Sequence, residues 1–398
     1  MPAPARYLGI SAAQLTSLAR GRDHPGIASL LRRAWLSRNL TFFAAVSPAP
    51  QVSATGTGQS PLDTLIRAQQ ADRAAVDSVL THPRFGAWAA YCATAAPGHG
   101  QFADPIGFAA SFAVAAALRA GIEFALPIPV VGGVGVVPGL GTVSGADGAY
   151  LHVRGHHGRL ELDGGQTWNP VRTWHSGAST LEFDDLPPTP AAWPDQVVAP
   201  HWMPIADTDY DWWKGCFETA RQLLDDTVPE LAHPLAHGMR AVVPRSHENT
   251  GFVSSTLVDA FGAAAMITPV DGMGLATGLL HEFQHSKLGI VLELVPMIAC
   301  DTEVSLPSPW RAGPRPPSAV LHGVYAHLAV GRFTRGLARA NGSAELAERA
   351  DTAHRQTVKA CATLLDSATL TEIGRTFVTV LRRTVDDDAR AVAAAGKE

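Results

Sequence analysis

The chain has 398 residues, 46% hydrophobic and 17% charged, with a formal net charge of −5. That balance is globular, and the lack of any Lys/Arg block argues against a protein that tracks a nucleic-acid backbone. Four cysteines, Cys92, Cys216, Cys300 and Cys361, stand far apart with no CxxC pair, which argues against a disulfide framework or a cysteine zinc site and for a reducing cytoplasm.

The opening residues, Met1 to Arg6, lack the charged-then-apolar layout of a signal peptide. Residues 11–45 read as helical, with Ser11 as N-cap and Leu15, Leu18 and Ala19 at helical spacing. A polar Ser/Thr/Gly/Pro stretch over 47–61 predicts a loop, and helices resume over 62–95 and 105–120. The most apolar run, 106–118, is too short to span a bilayer and is soon interrupted by Arg119 and Glu123. No membrane association is expected.

The character changes at 124. The run 124–142 is rich in Val, Pro and Gly, and 149–154 and 159–162 alternate apolar and polar between glycines, a strand-and-turn pattern. Residues 187–200 form a proline-rich connector. A helix is predicted over 212–231, strands over 240–244 and 263–268, and a buried helix over 272–288. A loop rich in Pro and charge follows over 296–317, then helices over 318–340, 343–366 and 371–393. The expected fold class is α+β: a helical region over 1–123, a β-rich region with its connector over 124–200, and a helical region carrying the chemistry over 201–398.

That chemistry centres on His281-Glu282-Phe283-Gln284-His285. Four residues apart on a helix, the two imidazoles share a face and lie about 6 Å apart along the axis, so they can hold one metal through neutral ring nitrogens. Glu282 sits about 100° further round, bordering the site; in zinc peptidases of this pattern the glutamate activates metal-bound water. The preceding small, apolar residues 273–280 predict a core helix, in which two histidines and a glutamate would be costly without a charged partner, rather than a solvated face with incidental histidines.

A metal centre needs at least a third ligand. The downstream helix offers His322 and His327 in Leu321-His322-Gly323-Val324-Tyr325-Ala326-His327. Five residues apart, they point in different directions; His322 is the preferred ligand, because Gly323 beside it allows close approach. Asp301 and Glu303 are carboxylate alternatives. The intervening segment Ser308-Pro309-Trp310-Arg311-Ala312-Gly313-Pro314-Arg315-Pro316 puts two arginines in a proline-stiffened loop, suited to clamp a carboxylate bidentately. Lys287 is either a further anion contact or the salt-bridged end of the metal helix.

The segment 278–289 around the two histidines, the Ser308-Pro309-Trp310-Arg311 and Pro314-Arg315-Pro316 stretches, the 321–327 stretch and the upstream 251–262 segment together resemble one family. It is the αKG-HExxH type of 2-oxoglutarate-dependent peptide β-hydroxylases, HExxH-domain proteins of actinobacterial clusters for ribosomally made peptide natural products. The resemblance is densest over 240–333 and thinner elsewhere, and the chain is similar to a stand-alone member without a radical-enzyme domain.

The resemblance implies Fe(II) as the metal, 2-oxoglutarate and O₂ as co-substrates, and a precursor peptide hydroxylated on a side-chain β-carbon. His281, His285 and His322 would be the metal face, with Glu282 either drawn in as a ligand or left outside an all-histidine site. Arg315, or else Arg311, would hold the distal carboxylate, with Lys287 as a further candidate. By analogy with zincin-like folds, the segment before the metal helix would receive the peptide beside an edge strand, lined by His247, Glu248, Asn249, Ser254 and Ser255. Two other readings use the same residues: a zinc metallopeptidase with His281, His285, Glu303 and Glu282 as base, and a non-catalytic peptide binder with a structural Zn(II).

Overall fold

A computed structural model describes residues 9–24, 26–53, 59–94, 104–144, 149–162, 165–177, 179–187, 205–245, 254–299 and 304–395. The chain is mixed α and β, with a β-rich middle and a helical C-terminal half. The single helix expected over 11–45 is two, α1 (Ala12–Ala19) and α2 (Ile27–Val46). Gly21, just past the end of α1, takes a left-handed φ of 61°, which turns the chain out of the helix. Ser11 caps α1 in a reciprocal box: its hydroxyl accepts from the Gln14 amide at 3.2 Å while the Gln14 side chain accepts from the Ser11 amide at 2.9 Å.

The polar stretch predicted as loop contains one helical turn, α3 (Pro50–Ser53). Then come α4 (Pro61–Ala71), α5 (Arg73–Leu80), α6 (Pro83–Thr94) and α7 (Ala109–Ala120), the last entered through a 3₁₀ turn. Strands begin at 124: β1 (Phe124–Val131), β2 (Val134–Val137), β3 (Gly141–Ser144), β4 (Tyr150–His156), β5 (Arg159–Glu161), β6 (Thr167–Pro170), β7 (Arg172–Ser176) and β8 (Ser179–Phe183). From residue 188 on, the proline-rich connector lies outside the described residues.

Where one helix is predicted over 212–231 there are two, α8 (Asp207–Thr227) and α9 (Pro229–Gly238). Val228 precedes a proline and is thereby steered away from helical backbone. Next are β9 (Ala241–Arg245), β10 (Ser254–Thr256), β11 (Ala263–Ile267) and α10 (Gly272–Leu294). α10 outruns its expected end at 288 and stops at Val295, whose extended φ of −140° is the conformation that the following Pro296 requires. The loop over 296–317 carries a small hairpin, β12 (Leu306–Pro307) with β13 (Pro314–Arg315), before α11 (Pro317–Asn341), α12 (Ala344–Asp366) and α13 (Glu372–Ala395).

The chain divides into two compact units interleaved in sequence, one of residues 1–34, 212–238 and 269–398, the other of 35–211 and 239–268. In the first, α10 packs on α11 and α9, α11 on α12, α12 on α13, and α13 on α1. α10 is apolar nearly all round and buried on most faces, as a helix inside a bundle must be. A side chain at Gly238 would meet the Phe283 ring at 2.3 Å, so glycine there lets α9 end directly on α10.

The second unit holds an antiparallel six-stranded sheet, ordered β5-β4-β1-β2-β3-β6, and a mixed five-stranded sheet, ordered β10-β11-β9-β8-β7. Its core joins α4 to α7 with the inward faces of the larger sheet, around an aromatic cluster of Phe43, Phe85, Trp88 and Phe112. Two buried polar pairs join the α6 end of the helical layer to β8 and the residue after it: Arg84 forks onto Asp184 at 2.7 and 2.6 Å, and His82 Nε2 lies 2.7 Å from Glu182. Among the described residues no helix is long and apolar enough to cross a membrane.

Candidate metal centre

The HExxH segment lies on α10, and α11 contributes the other two histidines, so four imidazoles of the first unit gather between these helices. His281 and His285, one turn apart, stand edge to face with ring centroids 4.5 Å apart. His285 Nε2 lies 2.9 Å from His281 Nε2, and His285 Nδ1 lies 3.3 Å from His322 Nδ1. The His327 ring stands at 89° to His281 with centroids 5.1 Å apart.

Burial favours the neutral form of three of these rings, His281, His285 and His327. It pushes His281 down to about 4, with the positive charge of Arg311 adding to the effect. His285 falls to about 2 through burial and through the neighbouring His281, His322 and His327. Burial and His281 bring His327 to about 4, against a hydrogen bond that acts upward. In that bond His327 Nδ1 donates to the Gly323 carbonyl at 2.9 Å, which leaves Nε2 with the lone pair. Neutral imidazoles with a fixed tautomer are the form in which histidine ligates metals such as zinc and iron.

The rings meet without converging on one point. His285 turns one ring nitrogen to His281 and the other to His322, so only one of these two neighbours can face its single lone pair. Accordingly, among the described residues no group of three or more His, Cys, Asp or Glu side chains is arranged to hold a metal ion. The donor chemistry fits a metal that favours nitrogen ligands; common coordination would require reorientation of His285 or His322.

The other predicted residues distribute as follows. Glu282 is 3% exposed, buried beside the histidines on α10. Arg311 is exposed, and its charge acts on His281. Arg315 is exposed on β13, its backbone paired with Leu306. Of the two roles open to Lys287, the structure shows the salt bridge: the side chain is 2% exposed and its ammonium lies 2.5 Å from Asp23. Burial pulls the lysine down from its ordinary value while Asp23 acts to raise it. Ser254 and Ser255 lie on β10 in the second unit, where Arg245 donates to the Ser255 hydroxyl at 3.3 Å. Asn249, His247, Glu248, Asp301 and Glu303 lie outside the described residues.

Three features of this region escape the sequence reading. Asp23, 264 residues before Lys287, gives no local sign of its partner. His327, passed over in favour of His322, has its tautomer fixed by a bond one turn back to Gly323, a spacing that is readable only once the helix is granted. Trp310 stacks on His327 with centroids 4.3 Å apart and planes 16° from parallel. A Cβ on Gly323 would come within 2.7 Å of the Trp310 ring, and the indole Nε1 is buried without a hydrogen-bond partner among the described residues.

Set against known proteins, the chain matches no family model and no curated protein, so the family resemblance stands on the quoted motifs alone.

Proposed function

We propose that this chain is an Fe(II)- and 2-oxoglutarate-dependent oxygenase that hydroxylates a side-chain β-carbon of a ribosomally made precursor peptide. The observation that supports it best is the gathering of four imidazoles from α10 and α11, three of them kept neutral by burial, with the Arg311 charge acting on one. His281 and His285 would hold the metal together with His322 or His327. Bound there, iron would supply the oxygen-activating chemistry of the non-haem oxygenases.

The chain's own residues have separate tasks. His327 keeps its proton on Nδ1 through the Gly323 carbonyl and presents a bare Nε2. Arg311 is the better placed of the two arginines to pair with a carboxylate beside His281, because its charge already reaches that ring. Lys287, engaged with Asp23, holds α10 in its bundle rather than binding a co-substrate.

The test is an anaerobic titration of metal-free protein with Fe(II) and then 2-oxoglutarate, followed by visible absorption. A band that needs both components, survives Arg315→Ala and is lost in Arg311→Ala is the expected result. Retention of zinc with no such band, together with cleavage of peptides, would overturn the proposal in favour of a metallopeptidase with Glu282 as base.

A further inference from the structure

Trp310 covers α11 at the turn between His322 and His327, stacked on the His327 ring and pressed onto the bare backbone of Gly323. A phenylalanine would keep an aromatic ring in that stack but not the fused-ring carbons over Gly323. The indole also brings one N–H, and that N–H is buried with no hydrogen-bond partner among the described residues. Unbonded buried donors are costly and rare, and the indole nitrogen only donates. The missing partner is therefore an acceptor. The next residue, Arg311, carries a positive charge that acts on His281. A lone N–H donor and a guanidinium on consecutive residues, beside uncharged imidazoles, suit an anionic acceptor with planar oxygens.

We infer that Trp310 is a ligand-recognition residue, its indole N–H donating to a carboxylate oxygen of the small acid that binds at the histidine cluster. The inference rests on the oxygenase reading, which makes that acid 2-oxoglutarate. Trp310 acts beside Arg311: the arginine supplies charge, and the indole supplies one directed hydrogen bond and the wall of the pocket.

The experiment compares wild type and Trp310→Phe for Fe(II) uptake and, with iron bound anaerobically, for 2-oxoglutarate affinity by calorimetry. Phenylalanine keeps an aromatic ring against His327 and removes the donor together with the fused-ring carbons over Gly323, and iron uptake reports whether that second loss disturbs the histidines. Iron uptake should be unchanged and 2-oxoglutarate binding about tenfold weaker or more, the size of one hydrogen bond to a charged acceptor. Equal 2-oxoglutarate affinity in the two proteins would overturn the inference and leave the oxygenase reading standing. Parallel loss of iron and 2-oxoglutarate affinity would overturn it as well, because it would mark Trp310 as a prop for the histidines. Iron-loaded wild type that takes up no 2-oxoglutarate would instead remove the oxygenase reading itself.

Discussion

Removing Asp23 should harm this protein more than removing the lysine it serves. The Lys287 side chain is 2% exposed and Asp23 18% exposed. Asp23→Ala leaves an ammonium buried against Phe283, whose ring centroid is 5.6 Å away, with its carboxylate gone. Breaking a buried pair this way costs about 3–5 kcal/mol. Lys287→Met keeps the volume and leaves behind a carboxylate that water still reaches, so its cost is about 1–2 kcal/mol. The first unit comprises roughly 190 residues, a size at which each kcal/mol moves the Tm by about 2–4 °C. Asp23→Ala should thus lower the Tm by about 6–20 °C and Lys287→Met by several degrees less. The double variant should return to near Lys287→Met, because no stranded charge remains. Thermal unfolding of the four proteins completes the cycle. An Asp23→Ala no worse than Lys287→Met, or a double variant equal to the sum of the singles, would refute the assignment of Lys287 as a buried, charged partner.

Two further expectations concern the second unit and the α11 surface. Burial raises the Glu182 carboxyl, but His82, through its charge and hydrogen bond, and then Arg240 and Arg119 outweigh burial and bring it to about 2, below an ordinary 4.5. A carboxylate lowered on folding adds stability above pH 4.5 that is lost as pH falls toward 2, so Glu182→Gln should lower stability at pH 7 by about 3 kcal/mol and flatten the acid limb; an unaltered urea midpoint at pH 7 and an acid limb as steep as wild type's would contradict this. Gly323→Ala puts a methyl within 2.7 Å of the Trp310 ring, and should displace the indole, cost about 1–3 kcal/mol and shift tryptophan emission to the red; emission and stability matching wild type would show that the ring yields freely.

Much of the first unit is readable from sequence because its punctuation is local. Ser11 with Gln14 marks the start of α1, and Gly342, with a φ of 61°, ends α11. His281 and His285 need only a helix to be neighbours, and the small residues before them make that helix a buried one. The strands β6 to β8 escape because 167–183 has no clean alternation, its side chains being exposed along most of β6 and half-buried along most of β7. The Lys287–Asp23, Arg84–Asp184 and His82–Glu182 pairs escape for another reason: partners 264, 100 and 100 residues apart are set by tertiary packing and leave no periodic trace. The same holds for the orientation of each imidazole, since spacing brings rings to one face of a helix but does not say where each nitrogen points.

The interleaving of the two units has a consequence for how the chain is made. α1 packs on α13, and the partner of Lys287 is Asp23 just after α1, so the histidine-bearing unit draws on segments about 350 residues apart. At synthesis rates of about 5–20 residues per second, the 350 or so residues between α1 and α13 take roughly 18–70 s to emerge. The second unit, whose last segment ends at Thr268, is complete well before then and can fold on the ribosome. Through that interval α1 lacks the α13 surface it packs on, so its docking comes late in the assembly of the first unit.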